Sequence, residues 1–259
     1  MTEIEQAAEL IADAAANGQP IVAFTGAGVS QESGVPTFHG SNGIWQKYDP
    51  GQVATFDGFL DDPALCWRFH EELRALCLRS RPNPAHLALA WIERALSTHA
   101  PTPVVTQNID GLHRAAGSTR VLELHGSCHR MRCIECEFSS DEMPTQFGVL
   151  PPSCGECGAL LRPDVVWFGE QLPSDAMAEA HRLAESAGVM LVIGTSATVQ
   201  PAASLPVVAL RQGAALIEVN PEQTPLTPMV DLSLQGPAGT TLPQLAEAVG
   251  TLLNSAPGE

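Results

Sequence analysis

Four short, mainly apolar runs punctuate the chain: Ile21–Phe24, Val104–Thr106, Met190–Ile193 and Leu216–Val219, the last holding Glu218. Runs of this length, rich in β-branched residues and lacking polar alternation, predict strands buried on both faces. Between them, apolar residues recur at helical spacing. Ile4, Ala7, Ala8 and Ile11 predict a helix over Glu3–Ala16, stopped by Asn17-Gly18. Further helices are predicted over Pro63–Leu78, Pro84–Leu96, Ala176–Ser186 and Ala203–Arg211, with a last one following Leu242. Strands alternating with helices imply an α/β fold, a Rossmann-like parallel sheet with helices on both faces.

One region breaks the rhythm. From Cys128 to Arg162 periodic segments are few, and Cys, Pro, Gly and charged residues crowd together. This predicts a small inserted module at residues 128–162, interrupting a main domain formed by residues 1–127 and 163–259. Cys133-x2-Cys136 and Cys154-x2-Cys157 lie within it, 17 residues apart. Two such knuckles are the pattern of a tetrahedral zinc site, here a zinc ribbon. Four thiolates leave no position for water, so the ion would be structural. A pair of disulfides is the alternative, disfavoured in a reducing compartment.

Composition narrows the class. With 259 residues and 44% hydrophobic content, the chain can bury a sizeable core. Thirteen basic residues against 29 acidic ones, a net charge of −16, disfavour a nucleic-acid-binding surface. No stretch reaches the roughly 18 apolar residues of a membrane helix. The first residues carry Glu3, Glu5, Glu9 and Asp13, which fits neither a signal nor a transit peptide, so a cytoplasmic protein is expected. Seven cysteines, an odd number, speak against a disulfide scaffold.

The first apolar run ends in Gly26-Ala27-Gly28-Val29-Ser30. Glycines after a strand let the backbone approach a pyrophosphate, and exposed amides supply positive potential. Alone this is equally a tight strand-to-helix turn: Gln31 replaces the third glycine of the dinucleotide fingerprint, and no acid ends a second strand for a ribose. An ordinary dehydrogenase is therefore disfavoured.

The longer pattern is more specific. The run from Gly26 through Gln31-Glu32-Ser33-Gly34-Val35-Pro36-Thr37-Phe38 is followed by Thr106-Gln107-Asn108-Ile109-Asp110 and Glu123-Leu124-His125-Gly126. Leu161-Arg162-Pro163, Trp167-Phe168-Gly169-Glu170, Gly194-Thr195-Ser196 and Gln235-Gly236-Pro237-Ala238-Gly239 come next. In order and spacing, from about Ile21 to Leu245, the chain resembles the sirtuin family of NAD-dependent protein-lysine deacylases.

The resemblance implies that NAD is consumed as co-substrate, releasing nicotinamide and O-acyl-ADP-ribose. It implies catalytic roles for His125, as general base, and for Asn108 and Asp110. NAD contacts are expected from Gly26, Ala27, Gly28, Ser30, Glu32, Phe38, His39 and Trp45, and from Gln107, Asn108, Ile109 and Asp110. Gly194, Thr195, Ser196, Asn220, Pro221, Glu222 and Ala238 complete that set. Val165, Val166, Trp167, Phe168 and Gly169 are expected to offer an extended edge to the acyl-lysine protein, a β-augmentation surface. No nucleic acid or membrane partner is expected, and a monomer is the simplest state.

Two departures bear on activity. His39 stands where the family has Arg, which supports an NAD sensor as one alternative to a deacylase; a protein ADP-ribosyltransferase is another, disfavoured by the intact His125. The chain also resembles the class that contains desuccinylases, but His70 and Leu73 occupy the places of its Tyr-x-x-Arg pair. Leucine cannot grip a carboxylate, so acetyl or longer apolar acyl groups are expected. Arg74, one residue on, is the candidate that could restore desuccinylation.

Overall fold

The computed structural model describes residues 1–38, 43–144 and 147–255. Six parallel strands form the main sheet: β1 (Ile21–Thr25), β2 (Val104–Thr106), β3 (Val121–Glu123), β7 (Val189–Ile193), β8 (Ala215–Asn220) and β9 (Leu232–Gln235). They lie in the order β3-β2-β1-β7-β8-β9. Successive side chains of β1 go to opposite faces. Ile21 and Ala23 pack with Leu191, Ile217 and helices α1 (Glu3–Ala16), α5 (Pro84–Ala95) and α9 (Ala238–Ser255). Val22 and Phe24 pack with Met190, Leu216 and helices α7 (Ser174–Ser186) and α8 (Leu205–Arg211). Both faces are covered, which is why these strands read as continuous apolar runs.

The expected α/β architecture is present, and α1 has the expected limits, held by a capping box between Thr2 and Glu5. The short helices over Pro50–Val53, Phe56–Asp61 and Leu112–Ala115 are not among the predicted elements, and the C-terminal end of the sheet differs from expectation as well. The edge strand β9 was not anticipated, because four residues with one polar-apolar alternation carry little signal. Helix α9 begins at Ala238, ahead of the predicted start after Leu242. Its first turn is secured from far away in sequence, where the Gly239 amide donates to Glu32 Oε2 at 2.6 Å.

Between β1 and β2 the chain makes an excursion through α2 (Pro50–Val53), α3 (Phe56–Asp61), α4 (Pro63–Arg79) and α5. The short helix α6 (Leu112–Ala115) joins β2 to β3. A separate antiparallel sheet, in the order β5-β4-β6, interrupts the chain between β3 and α7. Its strands are β4 (Gly126–Cys133), β5 (Ser139–Ser140) and β6 (Leu161–Val165). This sheet packs on buried Trp67 of α4, whose indole N–H donates to the Leu161 carbonyl at 2.8 Å.

The four knuckle cysteines converge at the end of this sheet. Their sulfurs all lie within 4.8 Å of one another, with Cys133–Cys157 at 3.5 Å and Cys136–Cys154 at 3.7 Å. All are free thiols. Bonds of about 2.3 Å to one tetrahedral Zn²⁺ place sulfurs roughly 3.8 Å apart, so the cluster fits that ion. Cys133 and Cys154 also belong to the module's small apolar core, which ties metal binding to its packing.

The module returns to the main domain through Arg162, which is 2% exposed. Its guanidinium forms two bonds to Glu170, at 2.5 and 2.9 Å, donates to the Val165 carbonyl and lies 3.4 Å from the Trp167 ring centroid. The Glu170 carboxylate also accepts from the Trp167 amide at 2.8 Å. Two motifs noted separately in the sequence thus form one ion-paired clamp around residues 165–170. Among the described residues, no helix is long and apolar enough to cross a membrane.

Removing the metal with a chelator, or substituting Cys154→Ser, should loosen residues 126–165 from Trp67. The expected result is a lower Tm and red-shifted tryptophan emission; unchanged values would show a module that stands without metal. Arg162→Ala removes the buried partner of Glu170, leaving it Arg132 at 3.8 Å and the Trp167 amide, and should cost about 3 kcal/mol in chemical denaturation. A loss under about 1 kcal/mol would show that the 165–170 loop supports itself.

Candidate active site

The sheet grows outward in both directions from the β1–β7 pair. In such sheets the crevice at the carboxyl ends of the two central strands is the usual ligand site. A cavity of about 990 Å³ opens there. Its shape follows from the close approach of two turns. A Cβ on Gly28 would lie 2.8 Å from the Gly194 Cα, and Gly194 itself has φ +57°. Larger residues would force the turns after β1 and β7 apart.

That approach has a consequence for the amides. Gly26 N–H donates to the Ile193 carbonyl at 3.0 Å, and Gly28 N–H donates to the Gly194 carbonyl at 2.8 Å. Both glycines line the cavity, but their amides are not the free pyrophosphate donors expected from the sequence. They join two strand ends, and the glycines serve by lacking side chains.

Nearly all the other expected site residues line this one cavity. Ala27, Glu32, Phe38 and Trp45 do, as do Gln107, Asn108, Ile109 and His125. So do Gly194, Thr195, Ser196, Asn220, Pro221, Glu222 and Ala238. His70, Leu73 and Val165 to Gly169 form the far wall. His39 lies outside the described residues.

Ser30 and Asp110 are exceptions, set behind the wall. Ser30 Oγ donates to Asp110 Oδ2 at 2.6 Å, and the Asn108 side-chain amide donates to Ser30 Oγ and to the Gly26 carbonyl. The other Asp110 oxygen accepts from the Leu112 amide. Burial raises the Asp110 pKa against those hydrogen bonds. Nearby, Thr25 Oγ1 bonds Thr106 Oγ1 and His113 Nε2, and the rings of His113 and His86 lie 4.8 Å apart. Burial lowers His113 to about 3 and His86 to about 4, so this backing is neutral at ordinary pH.

His125 follows β3 on the cavity wall. Its Nδ1 lies 2.9 Å from the Gln107 carbonyl. A carbonyl only accepts, so Nδ1 carries the proton and Nε2 keeps the lone pair. Burial lowers the His125 pKa, opposed by the Gln107 bond. The ring is therefore a neutral, oriented base near pH 7.

The far wall is aromatic. The Trp45 ring contacts Phe38 at 5.4 Å, Phe69 at 5.8 Å and Phe168 at 5.9 Å between centroids. His70 Nε2 accepts from the Trp167 indole N–H at 3.0 Å, and burial lowers the His70 pKa to about 3. Arg74 turns elsewhere, to Glu71 and the carbonyls of Met143 and Pro144. It does not line the cavity, although it lies one helical turn from His70.

The 165–169 stretch is less open than the sequence implied. The amides of Val166, Trp167 and Phe168 donate to the His125 carbonyl, the Glu170 carboxylate and the Ala54 carbonyl. Fewer main-chain groups remain for a peptide than an open edge would provide. Sequence reasoning also missed wall residues in the turn after β8: Gln223, Thr224 and Pro225. Their signal lay in Glu218, a buried acid within a strand. Its carboxylate accepts from Thr224 and Thr227, fixing that turn.

The Sir2 family profile matches residues 26–201. NAD-dependent protein deacylase 2 of Pyrobaculum aerophilum is 46% identical over 92% of this chain and 94% of its own length. The NAD-dependent protein deacylase of Aquifex aeolicus is 46% identical over 86% of this chain and 92% of its own. A crystal structure of a Sir2 homologue–NAD complex superimposes with a TM-score of 0.86 at 44% identity, covering 95% of this chain and 94% of that one. Sir2Af2 bound to a myristoylated histone peptide gives 0.75 at 35% identity, covering 97% and 98%. On the family profile, and on relatives of this identity aligned over nearly their whole length, the chain belongs to the Sir2 family.

Proposed function

We propose that this protein is an NAD-dependent protein-lysine deacylase that removes acetyl and longer apolar acyl groups. The observation that carries the reading is the His125–Gln107 hydrogen bond, which orients a neutral imidazole on the wall of the cavity. Relatives named NAD-dependent protein deacylases support it, as does the likeness to Sir2 homologue complexes with NAD and with an acylated peptide.

NAD, when bound, supplies the ribose carbon that receives the acyl oxygen as nicotinamide leaves. The chain's own residues do the rest. Gly26, Gly28 and Gly194 keep the floor low enough for a dinucleotide. Thr195, held by Gln107 Nε2 at 3.0 Å, and Asn220, which donates to the Thr195 carbonyl, hold the wall on the β7–β8 side. Ser30 and Asp110 act one layer back, by fixing Asn108 and the loop that carries it. Phe38, Trp45 and Phe168 exclude water from the acyl-lysine. His125 Nε2 takes the proton of a ribose hydroxyl.

The wall also supports the acyl preference. Among the described residues lining the cavity there is no Lys or Arg. His70 is held neutral and already accepts from Trp167, so it offers no positive charge to a carboxylate. Arg74 is engaged by Glu71 and two carbonyls, which weighs against a desuccinylase.

Matched peptides bearing acetyl-, myristoyl- or succinyl-lysine test this directly. NAD-dependent release of the acetyl and myristoyl groups is expected, with succinyl slower by at least roughly tenfold, the value of one lost charge-assisted hydrogen bond. Equal succinyl turnover would sink the acyl assignment. His125→Ala should lower kcat by about 10²- to 10⁴-fold, the usual contribution of a positioned base. Turnover that survives the substitution would point to another base, and nicotinamide release without deacylation would favour ADP-ribosyl transfer.

The pH profile is a further check. The base must be neutral, and burial lowers the His125 pKa from the ordinary 6.5. The acidic limb of kcat/KM should therefore fall below pH 6.5, with activity lost only under that point. A limb centred above 6.5 would contradict the role given to His125.

A further inference from the structure

The seven cysteines fall into three groups. Cys133, Cys136, Cys154 and Cys157 converge as the metal cluster, and the Cys66 thiol donates to the Val53 carbonyl at 3.2 Å. Cys77 and Cys128 are left, both as free thiols, and neither lines the main cavity.

The fold brings these two together. Cys77 lies near the end of α4 and Cys128 near the start of β4, and both are buried in one small cluster with Val35, Leu73 and Leu112. A hydrogen-bonding contact with the Cys77 thiol, and then burial, raise the Cys128 thiol well above its ordinary value. Cys128 therefore keeps its proton, which leaves Cys77 to supply an attacking sulfur. Arg74 is buried one turn before Cys77 on α4, and its charge acts on Cys128 in the opposite sense. A cation beside a thiol pair favours the thiolate that disulfide chemistry needs. The pair is also within reach of small molecules. A second cavity, of about 470 Å³, opens onto Cys77 and onto Ser127 and His129, the neighbours of Cys128. Asp110 and Gly111 lie on its other side.

We propose that Cys77 and Cys128 form a reversible dithiol–disulfide site, oxidised by hydroperoxides that enter through this second cavity, and that the disulfide slows the enzyme. The Cys77 thiolate attacks one peroxide oxygen and the O–O bond breaks. The leaving hydroxide takes up the proton that Cys77 lost, giving a sulfenic acid and one water. The Cys128 sulfur then attacks the sulfenic sulfur. The S–S bond forms, and the sulfenic oxygen leaves as a second water with the Cys128 proton. Two thiols lose two electrons and one peroxide gains them.

The effect on the enzyme follows from what the pair is attached to, and rests on reading the main cavity as the deacylase site. The Cys128 amide donates to the Ile109 carbonyl at 2.9 Å, and Ile109 lines the main cavity. Leu73, one turn before Cys77, lines it too. An S–S bond of about 2.05 Å is far shorter than any contact between two thiols. Closing it draws α4 and the strand that holds Ile109 toward each other.

The test treats the zinc-loaded protein with hydrogen peroxide, blocks remaining thiols and digests without reduction. A peptide linking Cys77 to Cys128 is expected by mass spectrometry, with zinc retained. NAD-dependent deacetylation should fall by roughly tenfold or more, since a displacement of about 1 Å at a site costs up to 10²-fold. Dithiothreitol should reverse both changes. Cys77→Ala and Cys128→Ala should each keep the reduced protein's activity within a few-fold, abolish the linked peptide and protect activity from peroxide.

Absence of the linked peptide in the unsubstituted protein would overturn the proposal, and so would a linked peptide with unchanged activity. Equal inactivation of both alanine variants would overturn it as well, by placing the oxidation elsewhere. A reduced protein with no deacylase activity would overturn the deacylase reading alone; the linked peptide and a changed Kd for NAD would then decide the proposal.

Discussion

The turns after β1 and β7 touch backbone to backbone, and the rest of the site is arranged around that contact. With Gly28 against Gly194 and two amides of the first turn bonded to carbonyls at the end of β7, the central strands close into one rigid floor. A side chain at either glycine would need about an ångström of separation to reach ordinary van der Waals distance, and interiors packed at crystal-like density have little such slack. Ligand-facing donors must then come from elsewhere on the wall.

Behind the floor lies a layer of buried polar groups. Thr25, Thr106 and His113 form one chain of hydrogen bonds; Ser30, Asp110 and Asn108 form another. Buried groups of this kind are costly unless satisfied, and satisfied networks hold their members rigidly. The histidines add no charge, because burial keeps them neutral. Asn108 and Ile109 are thereby presented to the cavity on a stiff support. The same economy appears at Arg162, where one buried guanidinium joins the zinc module, Glu170 and Trp167. The sheet that carries the four-cysteine cluster thus connects, through Arg162, to the wall where acyl-lysine is proposed to lie.

Much of this was legible in the chain. Apolar runs buried on both faces identify themselves by continuity, which is why β1, β2, β7 and β8 were anticipated. The two cysteine knuckles and the Leu-His-Gly context of His125 carry their chemistry in short spacing. What could not be read depends on contacts between distant positions. The start of α9 is set by Glu32, 207 residues away. The direction of Ser30 is set by Asp110, 80 residues on. Glycine amides that look free in sequence are bonded across a sheet neighbour, and the 165–169 edge is partly closed by His125 and Ala54. Arg74 shares a helix with His70, but only the loop at Met143 and Pro144 shows which way it turns.

The central claim is that the cavity couples lysine deacylation to NAD cleavage. The most direct measurement is product stoichiometry in a single reaction with NAD and an acetyl-lysine peptide. Free lysine peptide, nicotinamide and O-acetyl-ADP-ribose would be quantified together by mass spectrometry. Equal amounts of the three are predicted at every time point. Deacetylated peptide appearing with free acetate and intact NAD, or nicotinamide appearing with no O-acetyl-ADP-ribose, would contradict the account.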